Sequence, residues 1–240
     1  MKVNKTLTNQ VKKLLKKEGA DLFGIASIDR FEKAPEGHRP KDILSSAQSV
    51  IVFAKRMLYS PIEGLPHTRL EYTNQFFVVN AILNTIAYKI CNFLESKGFK
   101  AIPIPPAYPR FEDKLFGVFS HRHAAVEAGL GEIALSNLLV TPQYGPRVRL
   151  TSIITDAPLE PNSRFENELC KNYRKICNLA CVRMCPVNAI SDSGVLNKFL
   201  CLHNQEKILN SSDPRGVVGP RDFELRCGVC IAVCPIGRRG

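Results

Sequence analysis

No long segment of low complexity interrupts the 240 residues, which argues against an intrinsically disordered chain. Its 45% hydrophobic and 23% charged residues are those of a globular protein. The opening stretch MKVNKTLTNQVKKLLKKEGADLFG lacks an apolar run long enough for a signal peptide or a membrane span, and it lacks a twin-arginine signal. The expectation is a cytoplasmic protein with no membrane span. Acid is the scarcer charge, with 22 Asp and Glu against 33 Lys and Arg, a formal net charge of +11. Nucleic acid is the first partner such a balance suggests. However, the basic residues are dispersed, apart from small groups at Lys12, Lys13, Lys16 and Lys17 and at Arg238 and Arg239. No recognition motif accompanies them, so nucleic acid is not the expected partner. The excess is read as solvated surface, with a docking face for an acidic partner as the functional alternative.

What is present is cysteine, and it is crowded. Cys91 stands alone in an apolar helical stretch and reads as a small core residue. The other eight lie between Cys170 and Cys234. In a chain without a secretory signal, that crowding points to metal rather than to disulfides. Zinc ribbons favour paired Cys-x-x-Cys turns and have no need of a proline after the last cysteine. Here CVRMCPVNAI and CGVCIAVCPIG both end a Cys-x-x-x-Cys step in proline, at Cys185-Pro186 and Cys234-Pro235.

Those endings resemble bacterial two-cluster ferredoxins, in which the cysteine before proline ligates the other cluster. The resemblance implies two [4Fe–4S] clusters, one held by Cys170, Cys177, Cys181 and Cys234 and the other by Cys201, Cys227, Cys230 and Cys185. Two such clusters would bring the net charge to roughly +7. Structural zinc remains the competing reading. The weak point is Cys170, which stands seven positions before Cys177 where the usual step is three. Val182, Ile190, Ile231 and Val233 are placed to shield the clusters from water, which lowers a cluster's potential.

The preceding residues read as mixed helix and strand. Leu7, Val11, Leu14 and Leu15 fall at helical spacing before Gly19, and LFGIAS (22–27) and SVIVFA (49–54) are short buried strands. An apolar-periodic helix runs from about Leu70 to Lys97 and stops at Gly98. KAIPIPPAYP (100–109) must be extended. SHRHAAVEAGLG (120–131) is a helix begun by Ser120 and closed at Gly129 or Gly131. Residues 137–159 read as a hairpin turning at 142–145. The composition changes near residue 160. Two domains are therefore expected, 1–160 and 161–240, and the second should need its clusters to fold.

At GLGEIALSNLLVTPQYGPRVRLTSIITDAPLEP, followed by eight cysteines in this order, the chain resembles the shared core of epoxyqueuosine reductase and the reductive dehalogenases. GADLFGIA, LESKGFKAIPIP and the lone Cys201 before Cys227 extend the likeness over most of the chain. The resemblance implies an α+β fold: a nitroreductase-like domain, akin to cobalamin chaperones, followed by a ferredoxin-like domain. It implies an oxidoreductase that passes electrons through the clusters to a corrinoid (cobalamin) for reduction of a small organic substrate. The donor would be an acidic low-potential protein such as a ferredoxin or flavodoxin, working anaerobically. It also implies that Tyr72, near the start of the long helix, donates a proton.

Around the expected corrinoid, Ser120, His121, Arg122 and His123 open a helix whose N-terminus favours anions, with a His as an alternative cobalt ligand. Gly129, Gly131, Tyr144 and Arg147 are the remaining candidates to line that site. The chain departs from the family's pattern at two places. The nearest acids to the family's Val-Asp element are Glu112 and Asp113, in a different context, and Ala134-Leu135 stands where a Gly and a basic residue are usual. A non-enzymatic electron carrier, or a reductive activator of another protein's corrinoid, is the alternative. No flavin signature is present.

Overall fold

The computed structural model describes residues 3–107, 113–210 and 225–238. In chain order the elements are α1 (Lys5–Lys17), β1 (Leu22–Ser27), α2 (Pro40–Ile43), β2 (Ser49–Arg56), α3 (Tyr59–Glu63), α4 (Arg69–Ser96), β3 (Ala101–Ile104) and α5 (His121–Glu127). There follow β4 (Glu132–Ile133), β5 (Leu139–Val140), β6 (Val148–Thr155), α6 (Leu169–Cys177), α7 (Ala180–Arg183), α8 (Lys198–Asn210) and α9 (Val229–Ala232). The chain divides into two compact units that interleave in sequence. The first comprises 1–56, 79–132 and 148–167; the second comprises 57–78, 133–147 and 168–240. The last crossing falls seven residues beyond the boundary read from composition. In addition, 57–78 and 133–147, expected in the first domain, are grouped with the cysteine-rich segment.

The first unit is built on a four-stranded antiparallel sheet in the order β1-β2-β6-β3. Side chains alternate across a strand, so each register row faces one side. The row Ile25–Ile51–Ile153 joins the core with Leu7, Val11 and Leu15 of α1 and Val79, Leu83, Ile86, Ile90 and Leu94 of α4. The next row, Gly24–Val52–Ser152, faces α5: a Cβ on Gly24 would stand 2.2 Å from the carbonyl oxygen of Ala128. Glycine is required there because the helix approaches the strand backbone to backbone.

Local chemistry sets the helix ends. Asn4 caps α1 by accepting the Leu7 N–H at 2.9 Å. Gly19, Gly98 and Gly129 have φ of +93°, +83° and +78° and close α1, α4 and α5. In each case the residue after the glycine donates five residues back: Ala20 to Leu15, Phe99 to Leu94 and Leu130 to Ala125. By length and composition α4 would reach across a bilayer, but Leu83, Ile86, Ile90 and Leu94 are buried in the first unit's core.

Residues 137–159 do not form the expected hairpin. Thr141 and Gly145 close the turn with reciprocal backbone bonds of 3.0 and 2.9 Å, but β5 pairs with β4 while β6 pairs with β2 and β3. The strands were legible from their apolar runs; their partners are set by tertiary packing.

Candidate metal centre

The second unit carries the eight cysteines. Cys170 and Cys177 lie on α6, Cys181 on α7, Cys201 on α8 and Cys230 on α9, whereas Cys185, Cys227 and Cys234 lie just outside helices. Asn178 and Leu179 both adopt left-handed backbone, with φ of +44° and +54°, and this turns the chain between Cys177 and Cys181. All eight are free and half-buried; Cys91 is free and buried.

Burial pushes the Cys181 thiol up, and the neighbouring Cys170, Cys234 and Cys177 add to the effect. The Cys234 thiol is also raised by burial, against the opposing Ile236 backbone bond and Arg147 charge, with Cys170 and Cys177 raising it further. Cys201 is raised by burial, then by Cys227 and Cys185. Cys230 is raised by burial, then by Cys227, Cys201, Cys181 and Cys185. The mutual influences thus sort into two fours, 170/177/181/234 and 185/201/227/230, with Cys181 and Cys230 also in reach of each other.

Among the described residues, no three or more Cys, His, Asp or Glu side chains converge on a single ion position. A tetrahedral zinc would draw its thiolates to roughly 3.8 Å of one another; a four-iron cube sets its thiolates wider apart. Three sulfurs already meet donors. The Leu135 N–H points to Cys170 Sγ at 3.4 Å, the Ala189 N–H to Cys185 Sγ at 3.2 Å and Gln205 Nε2 to Cys201 Sγ at 3.8 Å. Donors of this kind stabilise thiolate charge and tune a cluster's potential. Ile190 and Ile231 are buried, and Val182 and Val233 are half-buried.

The first turns of α4 belong to the same unit and grip the 226–230 segment. The Arg226 N–H donates to Thr73 Oγ1 at 2.9 Å, and its guanidinium lies 4.8 Å above the Phe76 ring and reaches Gln205 Oε1 at 2.8 Å. Arg69 donates to the Arg226 carbonyl at 3.0 Å. Burial lowers the Arg69 pKa, and the adjoining Cys227 and Tyr72 oppose that shift. Tyr72 is 4% exposed. A Cβ on Gly228 would stand 2.7 Å from its ring atoms Cε1 and Cζ, so Tyr72 packs against the backbone between Cys227 and Cys230. Arg69, Arg226 and Gly228 escaped the sequence reading because only the fold brings α4 to the second cysteine motif.

Other candidates are placed differently from expectation. In the first unit, Ser120 caps α5 and bonds His123 Nδ1 at 2.7 Å. His121 Nε2 meets the Pro105 carbonyl at 2.9 Å and Nδ1 meets Ser152 Oγ at 2.9 Å. With Nε2 donating and Nδ1 accepting, both ring nitrogens are engaged, which leaves neither for cobalt. Burial lowers its pKa to about 4. Burial also lowers the pKa of half-buried Arg122, and burial with the Arg122 charge lowers that of exposed His123. Gly129 serves packing, since a Cβ there would lie 2.1 Å from the Ser163 carbonyl oxygen. Gly131 follows at the β4 entry with φ of +157°. Asp113 is exposed, and Glu112 lies outside the described residues.

In the second unit, Tyr144 is half-buried and its N–H donates to Thr141 Oγ1 at 3.2 Å. Arg147 is 1% exposed and donates to the carbonyls of Ile236 at 2.7 Å and Cys234 at 2.6 Å. It is neither a surface turn residue nor free to line a corrinoid; the fold spends it on the C-terminal cysteine loop.

No family model matches the chain. A tetrachloroethene reductive dehalogenase of Sulfurospirillum multivorans is 28% identical over 95% of this chain and 50% of its own length. One from Desulfitobacterium hafniense is 32% identical over 92% of this chain and 38% of its own. An epoxyqueuosine reductase of Bacillus subtilis is 32% identical over 51% of this chain and 30% of its own. The chain thus spans half or less of these curated relatives. Among solved structures, an epoxyqueuosine reductase from Bacillus subtilis superposes with a TM-score of 0.66 at 23% identity, over 97% of this chain and 66% of the other. A reductive dehalogenase studied for B12-dependent dehalogenation gives 0.70 at 21% identity, over 95% and 32%. In sequence the chain is thus similar to reductive dehalogenases and epoxyqueuosine reductases, and it shares its fold with their solved structures.

Proposed function

We propose that the chain is an oxidoreductase whose second unit binds two [4Fe–4S] clusters and whose electrons are destined for a corrinoid that reduces a small organic substrate. The observation carrying this reading is the sorting of eight thiols into two fours that exchange their Cys-Pro members, Cys185 and Cys234. When bound, the clusters would supply one-electron storage and the corrinoid a strongly reducing metal. In this reading the first unit is nitroreductase-like and the second ferredoxin-like.

The chain's own residues then have separable tasks. Cys170, Cys177, Cys181 and Cys234 would hold one cluster, and Cys185, Cys201, Cys227 and Cys230 the other, with the donors at Leu135, Ala189 and Gln205 easing thiolate charge. Tyr72, buried and neighboured by Arg69, would hold a proton on Oη for the reduced substrate. His121 and Arg147 are not part of the corrinoid reading, because their polar atoms already serve the fold. Exposed Arg174, Lys175 and Arg183, flanking the first motif, suit an acidic electron-transfer protein as donor. Eight free thiols suit a reducing compartment, and we place the protein in the cytoplasm.

The test is cofactor analysis of protein made without oxygen and with corrinoid supplied. About eight iron and about eight sulfide per chain are expected, with cobalamin retained and Tyr72→Phe losing turnover at unchanged iron. Zinc in place of iron would refute the cluster reading. Full clusters with no cobalamin bound would favour the electron-carrier reading, to which the engagement of His121 and the alanine at 134 already lend weight.

A further inference from the structure

Arg147 presents an unusual charge problem. Its guanidinium is 1% exposed and its Nε has no hydrogen-bond partner. Its nitrogens reach only main-chain oxygens: Nη1 donates to Ile236 at 2.7 Å, and Nη2 donates to Cys234 at 2.6 Å and Ala232 at 3.5 Å. None of the ion pairs among the described residues includes it. The ionisable groups that act on it are Cys234 first, then Arg238, Tyr59 and Glu63. A buried cation without a carboxylate is costly unless another negative group offsets it.

The surrounding backbone leaves the loop little freedom. A Cβ on Gly145 would lie 1.9 Å from the Ile236 oxygen, and one on Gly237 would lie 2.2 Å from the Gly145 nitrogen. The Tyr59 hydroxyl donates to the Gly237 carbonyl at 3.1 Å, and Arg238 caps the Ala232 carbonyl at 2.6 Å. Arg147 is therefore held against the loop that presents Cys234.

We propose that Arg147 is a positioning residue that sets the reduction potential of the cluster held by Cys234: its fork fixes the Cys234–Ile236 loop, and its buried charge favours the reduced, more negative form. The inference rests on the two-cluster reading. One electron from a low-potential reductant adds to the oxidised cluster without making or breaking a bond to protein, and the fixed cation lowers the cost of that extra negative charge. Cys234 is the one candidate ligand among the groups that act on Arg147, whereas ligands of the other cluster neighbour Arg69 and Arg226, so the effect should fall mainly on the Cys234 cluster.

The experiment is an anaerobic potentiometric titration of the full holoprotein with a one-electron chemical reductant, read by electron paramagnetic resonance. Wild type is compared with Arg147→Gln and Arg147→Lys, and Cys234→Ser marks which signal belongs to the Cys234 cluster. Arg147→Gln should lower that midpoint by a tenfold or greater change in the oxidised-to-reduced ratio, about 59 mV for a one-electron couple. The second midpoint should hold, and Arg147→Lys, which keeps the charge, should stay near wild type. Unmoved midpoints in Arg147→Gln, or an equal fall of both, would overturn the inference. If Arg147→Gln cannot retain the cluster, Arg147→Met is compared with Arg147→Lys: a lower midpoint in Arg147→Met than in Arg147→Lys supports the role of charge, and equal midpoints refute it. Wild-type protein without iron would remove the two-cluster reading as well, whereas full iron with unmoved midpoints removes only this inference.

Discussion

The two units are held together by different means. In the first, α1, α4 and the sheet bury a continuous apolar cluster that includes Leu15, Ile25, Phe53, Leu83, Ile90 and Ile153, each fully enclosed. In the second, α6 and α7 bury no residue at all, and α9 buries only Ile231. Exclusion of water from this cluster is the main stabilising contribution in the first. Helices that bury nothing gain little from packing; the second unit's buried side chains, such as Met57, Ile62, Val140 and Ile236, lie largely outside those helices, and polar clamps such as Arg147 and Arg226 tie the cysteine-rich segment to them. The difference lies in where the apolar contacts sit: throughout the helices and sheet of the first unit, and mostly away from the cysteine-bearing helices of the second.

The contrast is most severely tested by withholding iron. Protein made without it should lose amide protection across 168–210 and 225–238 while 5–56 and 79–104 keep theirs; equal loss in both would break the distinction. Next in size, Cys234→Ser should remove about half of the iron, whereas Cys91→Ser should leave iron untouched and register only in the melting of the first unit, where that thiol is buried. Leu83→Ala, at a fully buried position of α4, should cost about 2–5 kcal/mol in urea unfolding of the first unit with no change in iron.

A smaller effect is expected from pH. Burial holds the His121 pKa at about 4 against an ordinary 6.5. Between those values the unfolded chain binds a proton that the folded one does not. The stability this group contributes is complete above pH 6.5 and is lost as pH falls towards 4, with a slope of at most about 1.4 kcal/mol per pH unit. Equilibrium unfolding at a series of pH values should show that slope, and His121→Gln should flatten it. Least of all, Lys171→Ala breaks an ion pair with Glu168 whose side chains are 67% and 61% exposed. It should leave both the melting temperature and the iron content essentially unchanged.

The elements of the first unit were legible because their signals are local. Leu7, Val11 and Leu15 repeat at helical spacing, Gly19 and Gly98 take the left-handed conformation that ends a helix, and the run SVIVFA is buried as a strand. The pairing of β6 with β2 and β3 was not legible, because an apolar strand carries no label for its neighbour. At the candidate site, Cys-Pro spacing was enough to nominate eight thiols. It could not show that Gly228 leaves room for the Tyr72 ring, or that Arg69 and Arg226 come from distant segments to the same motif. His121 and Arg147 had the right chemistry for a cofactor cleft, but their hydrogen bonds go to Ser152, Pro105, Cys234 and Ile236.

The order of the chain by itself determined the helix ends, the apolar strands and the inventory of thiols, since each follows from what neighbouring residues do to one backbone. Only the tertiary structure decided which thiols share a field, which strand lies beside which, and whether a given histidine or arginine remains available for chemistry. Those outcomes depend on contacts between residues far apart in sequence, where burial and hydrogen-bond satisfaction are settled jointly and cannot be read one segment at a time.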